Sequence, residues 1–153
     1  MYLVSLHKIN GKYMKNKLLL LLCLVCSTGV WGQKTEKPFK AYIYNNVYDI
    51  YMQLNLYDNN IKVPGHDLYG ELPGFLGKKN NSYSWLITSA KMKSDSHAEL
   101  VLINDTGSDD LTATLTIKND TTYVLKQGKG STLKVPNKGK WQKLPSEIVF
   151  IKR

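Results

Sequence analysis

The residue types that do chemistry are sparse in this chain, and their spacing limits what they can do. The densest group is Asp105-Thr106-Gly107-Ser108-Asp109-Asp110, three carboxylates around one glycine. Hard cations such as calcium take about six to eight oxygens from loops of this kind. The group lacks the alternating spacing and closing glutamate of an EF-hand. Asp105, Asp109 and Asp110 therefore stand as a calcium candidate beside a plainer reading, a hairpin loop in which Asp and Gly supply turn geometry. From Gln33 onward the only histidines are His66 and His97. His66-Asp67 and His97-x-Glu99 suit a metal or a general base, but a metal centre needs three or four converging ligands. Neither a Gly-x-Ser-x-Gly elbow nor a phosphate loop is present, and a glycosidase-like carboxylate pair from Asp67, Glu71 or Glu99 would have to be assembled by folding. The expectation is a non-catalytic protein without a cofactor.

Aromatic residues offer the other chemistry. Eight tyrosines follow Gln33, and five of them (Tyr42, Tyr44, Tyr48, Tyr51 and Tyr57) fall close together. Amphipathic rings can line a ligand cavity or form a platform for sugars. They also simply suit a pleated, half-buried surface. Tyr51, Tyr57, Tyr69, Tyr83, Trp85 and Trp141 are the ligand-binding candidates. Asp120-Thr121-Thr122 resembles the three-residue O-glycosylation site of exported Bacteroidota proteins, which makes Thr121 a modification candidate.

Where the protein goes is written at its start. Met14-Lys15-Asn16-Lys17 forms a positive segment, Leu18 to Val25 an apolar run, and a small-residue stretch ends at Gly32. This is the pattern of a secretory signal peptide, and the run is too short for a spanning helix of about 20 residues. Export to the periplasm or beyond is expected, with residues 1–13 an upstream extension, 14–32 the leader and 33–40 a linker. Cys23 and Cys26 both lie in the leader, so the mature chain has no thiol. The rival is a lipoprotein anchored through Cys26, but Val25 precedes it where a small residue is usual. The net charge of +9 falls to about +5 from Gln33 onward, 17 Lys/Arg against 12 Asp/Glu. These charges alternate in sign, which argues against a nucleic-acid stripe. A single monomeric domain is expected.

The elements that must position these residues are strands. Ala41 to Tyr57 alternates with Tyr48, Ile50, Met52, Leu54 and Leu56 on one face. Unbroken, it would be roughly 56 Å long, so a bend is expected at Asn45-Asn46. Gly70, Pro73, Gly74 and Gly77 suggest a barrel corner or a close backbone approach. Ser82 to Met92 is apolar on both faces and reads as a central strand. Ala98 to Gln127 reads as three strands with Leu111, Ala113, Leu115 and Ile117 inward and the threonines outward. A strand around Ser131 to Val135, a turn at Pro136 to Gly139 and a strand at Glu147 to Lys152 complete the domain over 41–153. About eight to nine strands and no helix predict an antiparallel up-and-down β-barrel, with a β-sandwich as the alternative.

TLTIKNDTTYVLKQ, then Gly139-Lys140-Trp141, then EIVFIK from Glu147 to Lys152 together resemble the small lipocalin-like barrels exported by Bacteroidota. The resemblance covers Leu111 to Arg153 and implies a calycin-like barrel whose interior holds an apolar or small ligand. It transfers no catalytic residue.

The functional expectation is an exported, non-catalytic binding module for a small apolar or saccharide ligand or a partner protein. The alternative is a periplasmic inhibitor or immunity-type protein working through a loop. The positive balance counts against a basic target enzyme such as lysozyme. A cavity among Met52, Tyr83, Trp85 and Leu115 would favour a small ligand, and a filled core a protein partner.

Overall fold

The structure, a computed structural model, describes residues 37–153. The leader, Cys23, Cys26, the upstream extension and residues 33–36 lie outside the described residues. The strands are β1 (Lys40–Asn45), β2 (Ile50–Asn55), β3 (Ile61–Lys62), β4 (Glu71–Leu72), β5 (Gly74–Lys78), β6 (Ser84–Ser94) and β7 (His97–Asn104). They continue with β8 (Asp110–Ile117), β9 (Thr122–Gly130), β10 (Lys134–Asn137), β11 (Lys140–Lys143) and β12 (Glu147–Lys152). One 3-10 turn, Asp67–Tyr69, lies between β3 and β4. Eight strands close into an antiparallel barrel in the order β1-β12-β9-β8-β7-β6-β5-β2. The up-and-down barrel replaces the sandwich alternative, and it is compatible with a lipocalin-like fold. No helix among the described residues is long and apolar enough to cross a membrane.

Period-two patterning puts each strand in the wall. Leu111, Ala113 and Leu115 of β8 are buried while Thr112 is exposed and Thr114 and Thr116 are half-buried. Ile50, Met52 and Leu54 of β2 point inward in the same way. The expected bend at Asn45-Asn46 is instead a full reversal. β1 and β2 form a hairpin registered from Lys40↔Asn55 to Asn45↔Ile50. The reversal is anchored by Asn45, which accepts from the Tyr48 amide at 2.9 Å and donates to the Val149 carbonyl at 2.8 Å. Asp49 completes it in the left-handed region at φ 51°. Folding back doubles the paired length available to this segment, which a single long strand would have left unpaired at its ends.

The barrel also begins before Ala41. Phe39 is wholly buried, and the Tyr123 hydroxyl donates to the Pro38 carbonyl at 2.7 Å. Part of the expected linker therefore seals one end of the barrel. The other end is covered by the β10–β11 hairpin, which buries Leu133 and Val135 in the same apolar cluster as the barrel interior. Gln127 fixes that hairpin, accepting from the Leu133 amide and donating to the Leu144 and Pro145 carbonyls.

Between these two seals the interior is solid. Trp85, Met52, Leu76, Leu115, Tyr123 and Phe150 are each exposed by 1% or less. A space wide enough for water would leave accessible area on the side chains around it, and these have essentially none. Eight strands enclose a width that side chains can fill. A second apolar cluster lies outside the wall, where the β3–β4 pair covers Phe75 and Leu86 with Val63 and Leu72. Gly74 lets the β5 backbone approach the Gln53 carbonyl where a Cβ would collide, the close approach expected of that segment.

A filled interior makes Leu115→Ala expensive, about 2–5 kcal/mol by denaturant unfolding. A loss below about 1 kcal/mol would mean that the barrel already holds the cavity this substitution should create.

Candidate functional site

The barrel end under the β10–β11 hairpin gathers the largest share of the expected site residues. Its framework is Asn104, the buried last residue of β7. The Asn104 Oδ1 accepts from the Ser108 amide at 2.9 Å, the Asp109 amide at 3.2 Å and the Thr106 hydroxyl at 3.2 Å. Its Nδ2 donates to Ser108 Oγ at 3.0 Å and Asp109 Oδ2 at 3.1 Å. One carboxamide thus satisfies both backbone amides and side chains across the whole turn. Gly107 reverses the chain at φ 70°.

Asp109 leaves this loop to meet β10. Its carboxylate pairs with Lys134 at 2.9 Å and accepts from Ser131 Oγ at 3.1 Å. Hydrogen bonding by Lys134 and then Ser131 holds the Asp109 carboxyl below the usual range. Lys134 also stands over the Trp141 ring at 5.7 Å, and its carbonyl accepts from Trp85 Nε1 at 2.9 Å. The Trp141 ring meets Tyr83 edge-on, with centroids 4.8 Å apart. Trp141 nevertheless remains 57% exposed. The result is an aromatic side chain fixed in place with most of its surface free. The two-residue turn behind it, Lys138-Gly139, has positive φ at both positions (50° and 76°), the geometry that suits a tight hairpin.

Tyr83 is the electrostatic oddity of the site. Its hydroxyl is buried and lies beside Asn104 without completing a hydrogen bond, and Asp105 Oδ1 is likewise buried and unpartnered. Burial, then the Asp105 and Asp109 carboxylates, pushes the Tyr83 phenol up to about 12. Tyr69 approaches the same loop: a Cβ on Gly107 would sit 3.5 Å from its hydroxyl.

The other expected residues are elsewhere. Trp85 is a core residue with its N–H satisfied. Tyr57 lies at the opposite end, its hydroxyl 3.4 Å from the Phe39 amide. Tyr51 lies on the outer wall, stacked on Tyr42 with centroids 5.3 Å apart. Thr121 is exposed in the β8–β9 turn, where its amide and hydroxyl both donate to Asn119 Oδ1. Among the described residues no group of three His, Cys, Asp or Glu converges to hold a metal. The three aspartates expected to bind calcium are not brought together as such a group, because Asp109 is turned onto Lys134. His97 Nδ1 instead meets Thr116 Oγ1 at 3.1 Å, and Glu99 pairs with Lys93 at 3.0 Å. Neither histidine gains a metal-like partner set.

No family model matches the chain, and no curated protein or solved structure shows significant similarity to it. The site therefore rests on its own geometry. Sequence reasoning missed Asn104, Gln127 and Lys134. A buried asparagine closing an apolar strand just before an Asp/Gly turn is a readable cue for the first. The other two act on residues at least five positions away through folding alone.

Two titrations check this arrangement. Because the Asp109 carboxyl is held down in the folded state, its contribution is complete above about pH 4 and is lost as pH falls through the folded value. Asp109→Asn should therefore flatten the acid limb of stability in pH-dependent unfolding, and an unchanged limb would count against the Lys134 pairing. For Tyr83 the shift is upward, so its contribution is complete below about pH 10 and is lost as pH rises toward the folded value. Alkaline titration by ultraviolet absorbance should show a phenol ionising near 12 that Tyr83→Phe removes.

Proposed function

We propose that this chain is an exported, non-catalytic binding module of the small lipocalin-like barrel type seen in Bacteroidota, and that it takes a partner protein on its outside. The observation that carries this reading is the filled interior. Of the four side chains expected to line a ligand cavity, Met52, Trp85 and Leu115 are buried to 0% exposure and Tyr83 is half-buried against the same cluster. What is left for recognition is the surface, and its best-prepared feature is Trp141. Exposed tryptophans with fixed orientation make strong interface anchors, because little side-chain freedom is lost on contact. Lys134, Tyr83 and the Asp109 pair hold Trp141 in place before any partner arrives.

The inhibitor or immunity-type reading gains from a separate feature. The hairpin exposes Lys138, Lys140 and Lys143 around Trp141, with no carboxylate within the segment Ser131 to Ser146. A rigid hairpin with this charge fits the acidic cleft of an enzyme.

Native mass spectrometry of the protein recovered from its own host discriminates these from a ligand carrier. A second polypeptide should accompany the wild-type chain and be lost from Trp141→Ala, with affinity falling at least about tenfold, as for an interface hot spot. A wild-type chain recovered with no second polypeptide, or a second polypeptide retained undiminished by Trp141→Ala, would overturn the proposal.

A further inference from the structure

A second surface, on the outer wall away from the hairpin, is built in a way that neither packing nor the Trp141 site accounts for. On β1 and β2 the outward positions Tyr42, Tyr44 and Tyr51 lie together. Tyr42 and Tyr51 stack at 5.3 Å with their planes 23° apart, and Tyr51 meets Phe75 edge-on at 5.7 Å. The stack sits in a recess made for it. Gly77 is the cross-strand partner of Tyr51, and a Cβ there would come within 2.6 Å of the Tyr51 ring. Any other residue at 77 would push the ring off the wall.

Two cations border this aromatic floor. Arg153 lies over the Tyr44 ring at 5.4 Å and donates from Nη2 to Asn46 Oδ1 at 3.0 Å. Lys79 lines the same cleft, which has a volume of about 480 Å³ and is bounded by Tyr42, Tyr44, Asn46, Tyr51, Lys79 and Arg153. The carboxylate nearest in sequence, Asp49, accepts the Tyr44 hydroxyl at 2.8 Å. Among the described residues neither Lys79 nor Arg153 makes an ion pair with a carboxylate side chain, so both charges are open to a ligand.

We propose that this cleft is a binding site for an anionic saccharide, a sugar ring carrying a carboxylate or sulfate. The ring lies against the exposed face of Tyr42, which is 41% accessible. The anionic group sits between Lys79 and Arg153, where the guanidinium offers paired donors to a planar carboxylate. The Asn46 carboxamide and the tyrosine hydroxyls serve the ring hydroxyls, since each can donate or accept. Two cations on a compact aromatic floor suit one or two charged rings rather than the continuous phosphate track of a nucleic acid, which needs an extended basic stripe. This site shares with the proposed function only the premise that recognition lies outside the barrel.

The test is a titration of the isotopically labelled full chain followed by amide and side-chain NMR, with trigalacturonate as the carboxylate probe and a sulfated disaccharide as the second. Neutral maltotriose and sodium acetate are the controls. Shifts should be confined to Tyr42, Tyr44, Asn46, Tyr51, Lys79 and Arg153. Affinity should fall at least tenfold in Tyr42→Ala, Lys79→Gln and Arg153→Gln, and remain unchanged in Trp141→Ala. Which of the two anionic probes binds more tightly identifies the anionic group. Tyr42 and Lys79 side chains project from the surface, so an unaltered melting temperature certifies that these variants fold. The proposal is overturned if neither anionic sugar shifts these residues, if maltotriose or acetate binds as well as the charged sugars, or if folded Tyr42→Ala and Lys79→Gln bind like wild type. A wild-type chain that recruits no second polypeptide while saccharide binding stays intact would sink the proposed function and leave this site standing.

Discussion

The width of an eight-stranded barrel is the constraint from which the rest follows. Side chains from opposing strands reach the axis and fill it, so closing the wall and filling the interior are one event. Trp85 shows how far the filling goes. Its indole is completely buried, and its single donor is matched to the Lys134 carbonyl on the hairpin that covers the end. The seal and the core are therefore joined through one hydrogen bond. The opposite end uses the same logic, with Phe39 as the plug and the Tyr123 hydroxyl reaching the Pro38 carbonyl. A barrel built this way is occupied by its own side chains, and only its outer surface remains open.

That surface is organised by asparagines at strand ends. Asn45, Asn55 and Asn104 close β1, β2 and β7, and all three are buried. Each turns its carboxamide onto the backbone of the turn that follows: Asn45 on Tyr48, Asn55 on Asp58, and Asn104 on Ser108 and Asp109. A buried amide would be costly unpaired, so each position both needs and fixes its turn. In consequence these turns are fixed by side-chain hydrogen bonds to their own backbone. The turn after β7 then aims Asp109 at Lys134, and Lys134 in turn holds Trp141.

The pattern of alternation made the wall legible in advance. Leu111, Ala113 and Leu115 against the threonine row of β8 left little choice of face, and Gly74 signalled a close approach that the backbone makes. The sites were far less legible. Asp105, Asp109 and Asp110 look like one acidic cluster along the chain, but the fold sends Asp109 to a lysine 25 positions later. Tyr83 and Trp141 meet across a gap in sequence more than twice as long, which no local period records. Trp85, grouped with them by residue type, faces the axis because it shares the parity of Ile87. The Ala41–Tyr57 segment reads as one bent strand because each arm alternates on its own, although the phase changes at the reversal: Ile43 and Met52, an odd number of positions apart, are both inward and face each other in register across the hairpin. Periodicity reports which face is buried and is blind to the direction of the chain.

The most direct measurement of the central claim is a high-resolution crystal structure of the protein purified from its native host without denaturation. The account predicts that the space among Met52, Trp85 and Leu115 contains only those side chains, and that any bound molecule lies on the outer surface. Continuous density for a ligand along the barrel axis, with Trp85 turned away from the Lys134 carbonyl to admit it, would contradict it.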